Sequence, residues 1–587
     1  MNAVFSCEPC DFNGVQDVYG PIQNYGREER VNRGEQPHFF GIEEWEDINH
    51  LCPDYRFDQE NPLEAEVLLP KYQELFSDFS MLDDFQLNME TPPIQSPQES
   101  TVLHSVLTEI SDFVEHNDNP CPISLTSLEL LNNYTKKLKR LKGERLNELH
   151  NENTSSTVHD GGRLSTEEVI RVAGARLIQF SSKKDDDLTV LMNRFGYSLS
   201  SLTNEEIRDV ELAQLLLASA ESVSNKQFDL ASKLLTQCDY LSSCAGNPVQ
   251  RVVYYFAEGL RERIDRETGR IPSKISREKG NQQLDIEEAM MTPNPELLAC
   301  HKTLPFSQVL QLSGMQAIVD NVASASKVHL IDLGIRIGMQ GTVLMQALAS
   351  RHQCPIELLK ITAVGTSRQK IEETGKRLES FAEAMNFPFK FKVVIISDMK
   401  VLKEELFDTE ADEAVAVYSP LLLRTMVTRP DRLENLMRVI RNLNPCIMVI
   451  TEVEGNHNSP SFVNRFIEAL FSYSAFFDCL EACMDDRNNQ NRITIERLYY
   501  GQAIRNMVAM EGEERTFRHV GIATWRAFFT RFGMVETELS QASLYQANLI
   551  LKQVACWSSC TLDMNGKCLL VGWRGTPMHS VSAWKFH

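Results

Sequence analysis

The chain has 587 residues, 42% of them hydrophobic, enough for more than one structural unit around a large core. Its net charge of −22 is uneven: residues 1–100 hold 21 Asp and Glu against 5 Lys and Arg, leaving 60 acids against 54 bases elsewhere. The near-balanced remainder excludes an extensive non-specific nucleic-acid surface, which needs many cations to displace counterions from phosphates, though a local basic face stays open. No stretch approaches the ~20 apolar residues of a membrane span. The first 30 residues lack the basic-then-apolar order of a secretory signal.

In chain order, residues 1–100 read as a disordered acidic region. Aromatics such as Phe39, Phe40, Trp45, Tyr55, Phe57, Phe76, Phe79 and Phe85 stand among acids whose mutual repulsion keeps them solvated. That is the composition of an activation segment that recruits transcription machinery; a plain disordered tail is the alternative. Residues 101–202 form a linker with candidate helices, the first over 102–113. Its basic run of Lys136, Lys137, Lys139, Arg140 and Lys142 reads either as a nuclear-import patch or as the solvated face of a helix.

Residues 203–325 are expected to be a helical, leucine-rich cap. Thr203 is the predicted N-cap, and Val210, Leu212, Leu215, Leu216, Val223, Leu234 and Leu235 recur at helical spacing. The L-x-x-L-L string of Leu212, Leu215 and Leu216 is a candidate partner-docking element or simply core. From 326 to 587 the pattern changes to strand–helix alternation: KVHLIDLG, ELLKITAVGT, FKVVIIS, EAVAVYS and NPCIMVITEVE are strands separated by helices. This predicts an α/β fold with a mainly parallel, doubly wound sheet. NLILKQVAC and KCLLVGW flank a hairpin signal at Asn565-Gly566, and an antiparallel pair closing the sheet makes the expected core Rossmann/methyltransferase-like. The 14 cysteines are scattered; Cys7 and Cys10 form one C-x-x-C without the second pair a zinc site needs, and Cys556, Cys560 and Cys568 have no His at ligand spacing, which predicts free thiols in a reducing compartment.

The turn after the first strand, VHLIDLGIRIGMQG, is where a doubly wound fold opens its ligand crevice, so an S-adenosylmethionine-dependent methyltransferase is one alternative. Arg336 interrupts the tight G-x-G, no acid ends the second strand to hold a ribose, and VYSPLLLRTM offers no amine pocket. Asp398, after the third strand, remains able to face an adenine. The expectation is no catalysis and no cofactor.

The blocks VHLID (328–332), LNPCIMVITEVEGNHNSPSFVNRFIEALFSYSAFFDCLEA (443–482) and LLVGWRGTPMHSVSAW (569–584) occur in order behind a leucine-rich region. In this they resemble the VHIID, PFYRE and SAW motifs of the GRAS family of plant transcriptional regulators, from about residue 205 to the C-terminus. The resemblance implies a nuclear coregulator of plant development or root symbiosis. It would act through other GRAS proteins and DNA-binding transcription factors, touching DNA indirectly or weakly, with no membrane association. Direct sequence-specific DNA binding is a further alternative. Three departures stand out. The family's R-V-E-R is Arg515-Thr516-Phe517-Arg518 here, the tail of VHIID diverges, and residues 1–100 contain no DELLA or TVHYNP-like string, so the gibberellin-triggered degradation of that branch is not implied.

Within these motifs Val328, Leu330 and Ile331 are expected in the core, and His329 as a satisfied buried histidine. Asp332 is expected to accept N–H bonds from the turn. Glu454, Asn456, His457 and Asn458 follow the fifth strand and are candidates for a polar site, or equally for pinning that loop. Trp573 and Trp584 offer wide amphipathic surfaces for packing or for a partner.

Overall fold

The computed structural model describes residues 163–181, 202–271, 301–484, 489–554 and 556–587. The acidic segment, the candidate helix over 102–113 and the basic run at 136–142 lie outside the described residues.

Four helices open the fold: α1 (Thr166–Ser181), α2 (Asn204–Ser224), α3 (Phe228–Leu241) and α4 (Pro248–Glu267). Thr203 caps α2 through a reciprocal capping box with Glu206, satisfying two donors that the first turn leaves open. Asn247 and Gln250 do the same for α4. Then α5 (Pro305–Asn321) leads into β1 (Lys327–Asp332), α6 (Met339–Ala349), β2 (Leu358–Gly365), α7 (Arg368–Ala384), β3 (Phe389–Ile395), β4 (Ala414–Pro420), α8 (Pro430–Leu443) and β5 (Ile447–Val453). The remainder is α9 (Phe462–Cys483), α10 (Asn489–Ile495), α11 (Gln502–Val508), α12 (Ile522–Arg531), β6 (Met534–Thr537), α13 (Gln541–Gln553), β7 (Cys560–Asn565), β8 (Cys568–Trp573) and β9 (Thr576–Phe586).

Among the described residues nine strands form one sheet in the order β3-β2-β1-β4-β5-β9-β8-β7, with β6 also beside β9. Strands β1 to β5 are mutually parallel, and β9 runs antiparallel to β5, β6 and β8. The chain reverses its winding between β1 and β4, so a Rossmann/methyltransferase-like crevice lies at the carboxyl ends of those strands. One face of the sheet buries Ile331, Val417, Met448 and Ile450 against Leu436 and Ile440 of α8 and Trp525, Phe528 and Phe529 of α12. On the other face α5 packs on β5, β9 and α13.

The helical cap draws on separate parts of the chain. α1, from the segment expected as a linker, packs on α2 and α9. The helices α9 and α11, from within the segment expected as α/β core, pack on α4. α9 is buried on nearly every side, which its sequence FVNRFIEALFSYSAFF foreshadows by being apolar all round.

Three expectations are corrected. NLILKQV is not a strand but the end of α13, because Ala547, Ile550 and Leu551 bury one helical face; β9 is the strand that closes the sheet against β5. The hairpin does turn at Asn565-Gly566, where Gly566 has φ 63°, and joins β7 to β8. The cysteines are not all thiols: Cys483, ending α9, and Cys556, following α13, are 73 residues apart yet 5.9 Å between Cα atoms, and are disulfide-bonded. The L-x-x-L-L string is not a surface element. Leu212, Leu215 and Leu216 are 3%, 1% and 1% exposed, because α2 lies between α1, α3 and α4.

Candidate functional site

At the end of β1 the Asp332 carboxylate is buried and fully engaged. Oδ1 accepts the Gly334 N–H at 2.9 Å and Oδ2 accepts from Gln340 Nε2 at 2.8 Å. The same Gln340 amide donates to Ile335 O at 2.9 Å, closing the turn on itself. Burial pushes the Asp332 carboxyl up to about 6 against the opposing pull of these bonds and Arg336.

The glycines of this turn face the protein rather than an open cradle. Gly338 has φ +84°, and a Cβ there would stand 2.7 Å from Thr374 Cγ2 of α7; a Cβ at Gly341 would stand 3.0 Å from Leu378 Cδ2. Thr374 Oγ1 also donates to Arg336 O at 3.0 Å. The turn's glycines thus let α7 approach closely. Asp398 does not wait for an adenine: it accepts the Lys400 N–H at 3.0 Å and pairs with Arg432 at 2.8 Å.

His329 sits in the middle of β1, with Nε2 2.8 Å from Thr362 Oγ1 and Nδ1 3.2 Å from Glu413. Glu413 pairs in turn with Lys360 at 2.7 Å, and all three side chains are buried. Burial, with Lys360 close by, pushes His329 down to about 4, so it is neutral at pH 7. Lys360 and Glu413 were not singled out from sequence. The signal for Lys360 was a lysine inside the apolar run LLKITAV, and the register sets it beside His329.

The loop after β5 is pinned from several directions. The Glu454 carboxylate accepts the Ile522 N–H at 3.0 and 3.1 Å, so it holds the first turn of α12 where the helix dipole favours an anion. Asn456 is exposed. His457 is buried, its Nδ1 3.1 Å from His519 Nδ1 and its Nε2 2.9 Å from Ser472 Oγ of α9. Asn458 Oδ1 accepts from Arg515 Nη2 at 2.9 Å and Arg518 Nη1 at 3.0 Å. His579, opposite Val453 across β5–β9, packs its ring against Phe306 and Phe476. Burial presses His457 to about 4, His579 to about 3 and His519 far down, leaving three neutral imidazoles.

The Ser472–His457 contact has the spacing of a nucleophile and its base, but the group beyond the base is another imidazole rather than an orienting carboxylate. Four polar residues that sequence placed together therefore divide. Glu454, His457 and Asn458 all bind the 515–522 segment, and Asn456 faces outward. Sequence did not mark His519 and His579 as members of this cluster, because they come from segments about 60 and 120 residues away.

The residues matched by the GRAS domain family model are 212–585, covering β1 through β9 and most of the cap. The chain belongs to the GRAS domain family. Members of this family are transcriptional regulators. Its relatives include DELLA protein RGL1 of Arabidopsis thaliana, 33% identical over 379 residues, which are 64% of this chain and 70% of that protein. DELLA protein GAI1 of Vitis vinifera is 30% identical, covering 65% of this chain and 63% of that one. Among solved structures, SCL7 of Oryza sativa matches with a TM-score of 0.56 and 27% identity, over 64% of this chain and 99% of that chain.

In this GRAS fold Val328, Leu330 and Ile331 are buried in β1, and Trp573 and Trp584 are buried in β8 and β9. Trp584 Nε1 donates to Ser582 Oγ at 2.9 Å and its ring lies 4.7 Å from that of Phe529. Trp584 is thus enclosed between the sheet and α12, and Trp573, 1% exposed, is likewise buried rather than offered outward. No helix among the described residues is long and apolar enough to cross a membrane.

Proposed function

We propose that this GRAS protein is a nuclear, non-enzymatic adaptor or coregulator in plant development or root symbiosis. Its folded body binds DNA-binding transcription factors or other GRAS proteins, and residues 1–100 recruit transcription machinery. Lys136, Lys137, Lys139, Arg140 and Lys142 serve nuclear import. The observation that carries the non-enzymatic reading is the turn after β1, whose glycines are filled by Thr374 and Leu378 of α7. In a reducing nucleus the Cys483–Cys556 bond would open, releasing the link between the end of α9 and the segment after α13.

Two measurements test this reading. Residues 1–100 tethered to a DNA-binding domain should activate a reporter above an acid-matched scrambled control; equal output from the scrambled control refutes the recruitment role. Purification of the tagged full chain from plant tissue should retain a DNA-binding factor or a second GRAS protein after nuclease treatment. Steeply salt-dependent, sequence-selective binding of duplex DNA by the purified chain alone would favour direct recognition instead.

A further inference from the structure

Four arginines converge where the loop after β5 meets the start of α9, and they share few acids. Arg465 is 1% exposed; it donates Nε–H to Met507 O and Nη1–H to Ser459 O, both at 2.9 Å, and pairs with Glu511 through Nη2. Arg263 pairs with the same Glu511 at 2.7 Å and with Glu267 at 2.8 Å. Of the other loop acids, Glu514 pairs with Arg266 at 2.8 Å and Glu513 is exposed. Arg515 and Arg518 have no carboxylate partner among the described ion pairs. Their shared acceptor is the neutral Asn458 amide oxygen, and Arg518 also donates to Gly512 O at 3.1 Å.

Arg515 is the less satisfied of the two. It is 2% exposed, and its Nε and Nη1 are buried without a hydrogen-bond partner, as is Nε of Arg518. An enclosed guanidinium with open donors and no counter-charge is destabilising unless something supplies the anion. Burial, then Arg465 and Arg518, press the Arg515 pKa down to about 9, with Glu511 alone opposing. Arg518 is half-buried and gives the pair an edge toward solvent. Its backbone is tied in place: the Arg518 N–H donates to Arg424 O at 2.9 Å, just beyond β4, and the Arg424 N–H donates to the Glu452 carboxylate of β5 at 3.2 Å. The pair therefore stands at the carboxyl edge of β4 and β5, the side on which doubly wound folds receive ligands.

We propose that Arg515 and Arg518, aligned by Asn458, form a binding site for a phosphoryl dianion. Several N–H donors on two planar forks suit a tetrahedral oxyanion, and a dianion supplies the charge that the four arginines lack. The site is independent of the adaptor reading and stands or falls on different measurements.

The test is a titration of the full chain with sodium phosphate at pH 7.5 against sodium chloride of equal ionic strength, read by calorimetry and by melting temperature. Phosphate should raise the melting temperature and give a saturable heat. Arg518→Gln, at a half-exposed position, should weaken that binding at least tenfold. Arg515→Met should abolish the phosphate-dependent rise while melting no lower than the unmodified chain in phosphate-free buffer, because it removes an uncompensated buried charge. Affinity for phosphate should fall between pH 7.5 and 5.5, as the dianion takes up a proton across that range. O-phosphoserine binding as well as phosphate points to a phosphorylated side chain as the source, and phosphate alone to the free ion; either supports the site. The absence of saturable binding, or an Arg518→Gln chain that binds as the unmodified one does, overturns it.

Discussion

Arg251 Nε lies 3.0 Å from Glu496 Oε1, and neither side chain reaches solvent. Arg492 reaches the same oxygen at 3.0 Å, while Arg251 Nη1 donates to Gly246 O at 2.8 Å. This pairing joins α4 to the π-turn Glu496–Gly501 between α10 and α11, and so ties the two distant parts of the cap together. Removing Glu496 takes the one fully buried carboxylate from between two buried guanidiniums and leaves Arg251 to the half-exposed Glu481, 2.7 Å from its Nη1. Glu496→Ala should cost about 3–5 kcal/mol in urea unfolding. The double variant Arg251→Met/Glu496→Leu should recover most of that loss. A Glu496→Ala chain as stable as the original would show that the pair does not hold the cap.

Leu216 belongs to the cap's interior, so its truncation should act on stability before it acts on partners. Leu216→Ala should lower unfolding free energy by about 2–5 kcal/mol. Leu212→Asp with Leu216→Asp should yield insoluble protein. A soluble, cooperatively melting double-Asp chain that loses only its partners would place the string on a surface instead.

At the turn after β1, Gly338 combines φ +84° with the approach of Thr374. Gly338→Ala should destabilise by at least about 1–2 kcal/mol from the left-handed backbone alone. Calorimetric titration of the unmodified chain with S-adenosylmethionine should show no saturable heat, because the space beside these glycines is filled. Micromolar binding would contradict the packing described.

Acidification should destabilise the fold well before the carboxylates as a class titrate. Burial holds His301 and His579 at about 3, His329 and His457 at about 4 and His519 well below the ordinary 6.5. Between pH 6.5 and about 4 the unfolded chain binds protons that these folded imidazoles refuse. Stability therefore falls with pH across that window, by up to about 1.4 kcal/mol per pH unit for each group. Asp332 and Asp478, both raised to about 6, and Glu258 and Glu496, also raised by burial, work the other way, since the folded form takes their protons first, but they are fewer than the five imidazoles. Melting temperature should fall steadily from pH 7 to 5; a flat profile would mean the imidazoles are already charged in the fold.

Much of this was readable along the chain. The period of apolar residues marked α2 and β1 to β5, Thr203 marked a helix start, and the ordered VHLID, PFYRE-like and SAW-like blocks carried the family resemblance. These features are local: hydrogen-bonding propensity, capping and side-chain alternation act within one or two turns of the backbone. The tertiary structure alone decided which helices form the cap, that β9 rather than NLILKQV closes the sheet, and that Cys483 meets Cys556. It alone brought His519 and His579 to His457, set Thr374 against Gly338, and left Arg515 and Arg518 sharing one neutral amide. Such contacts join residues tens to hundreds of positions apart, and burial then sets their charge and pairing. Spacing along a chain records neither who the neighbours are nor how much water remains between them.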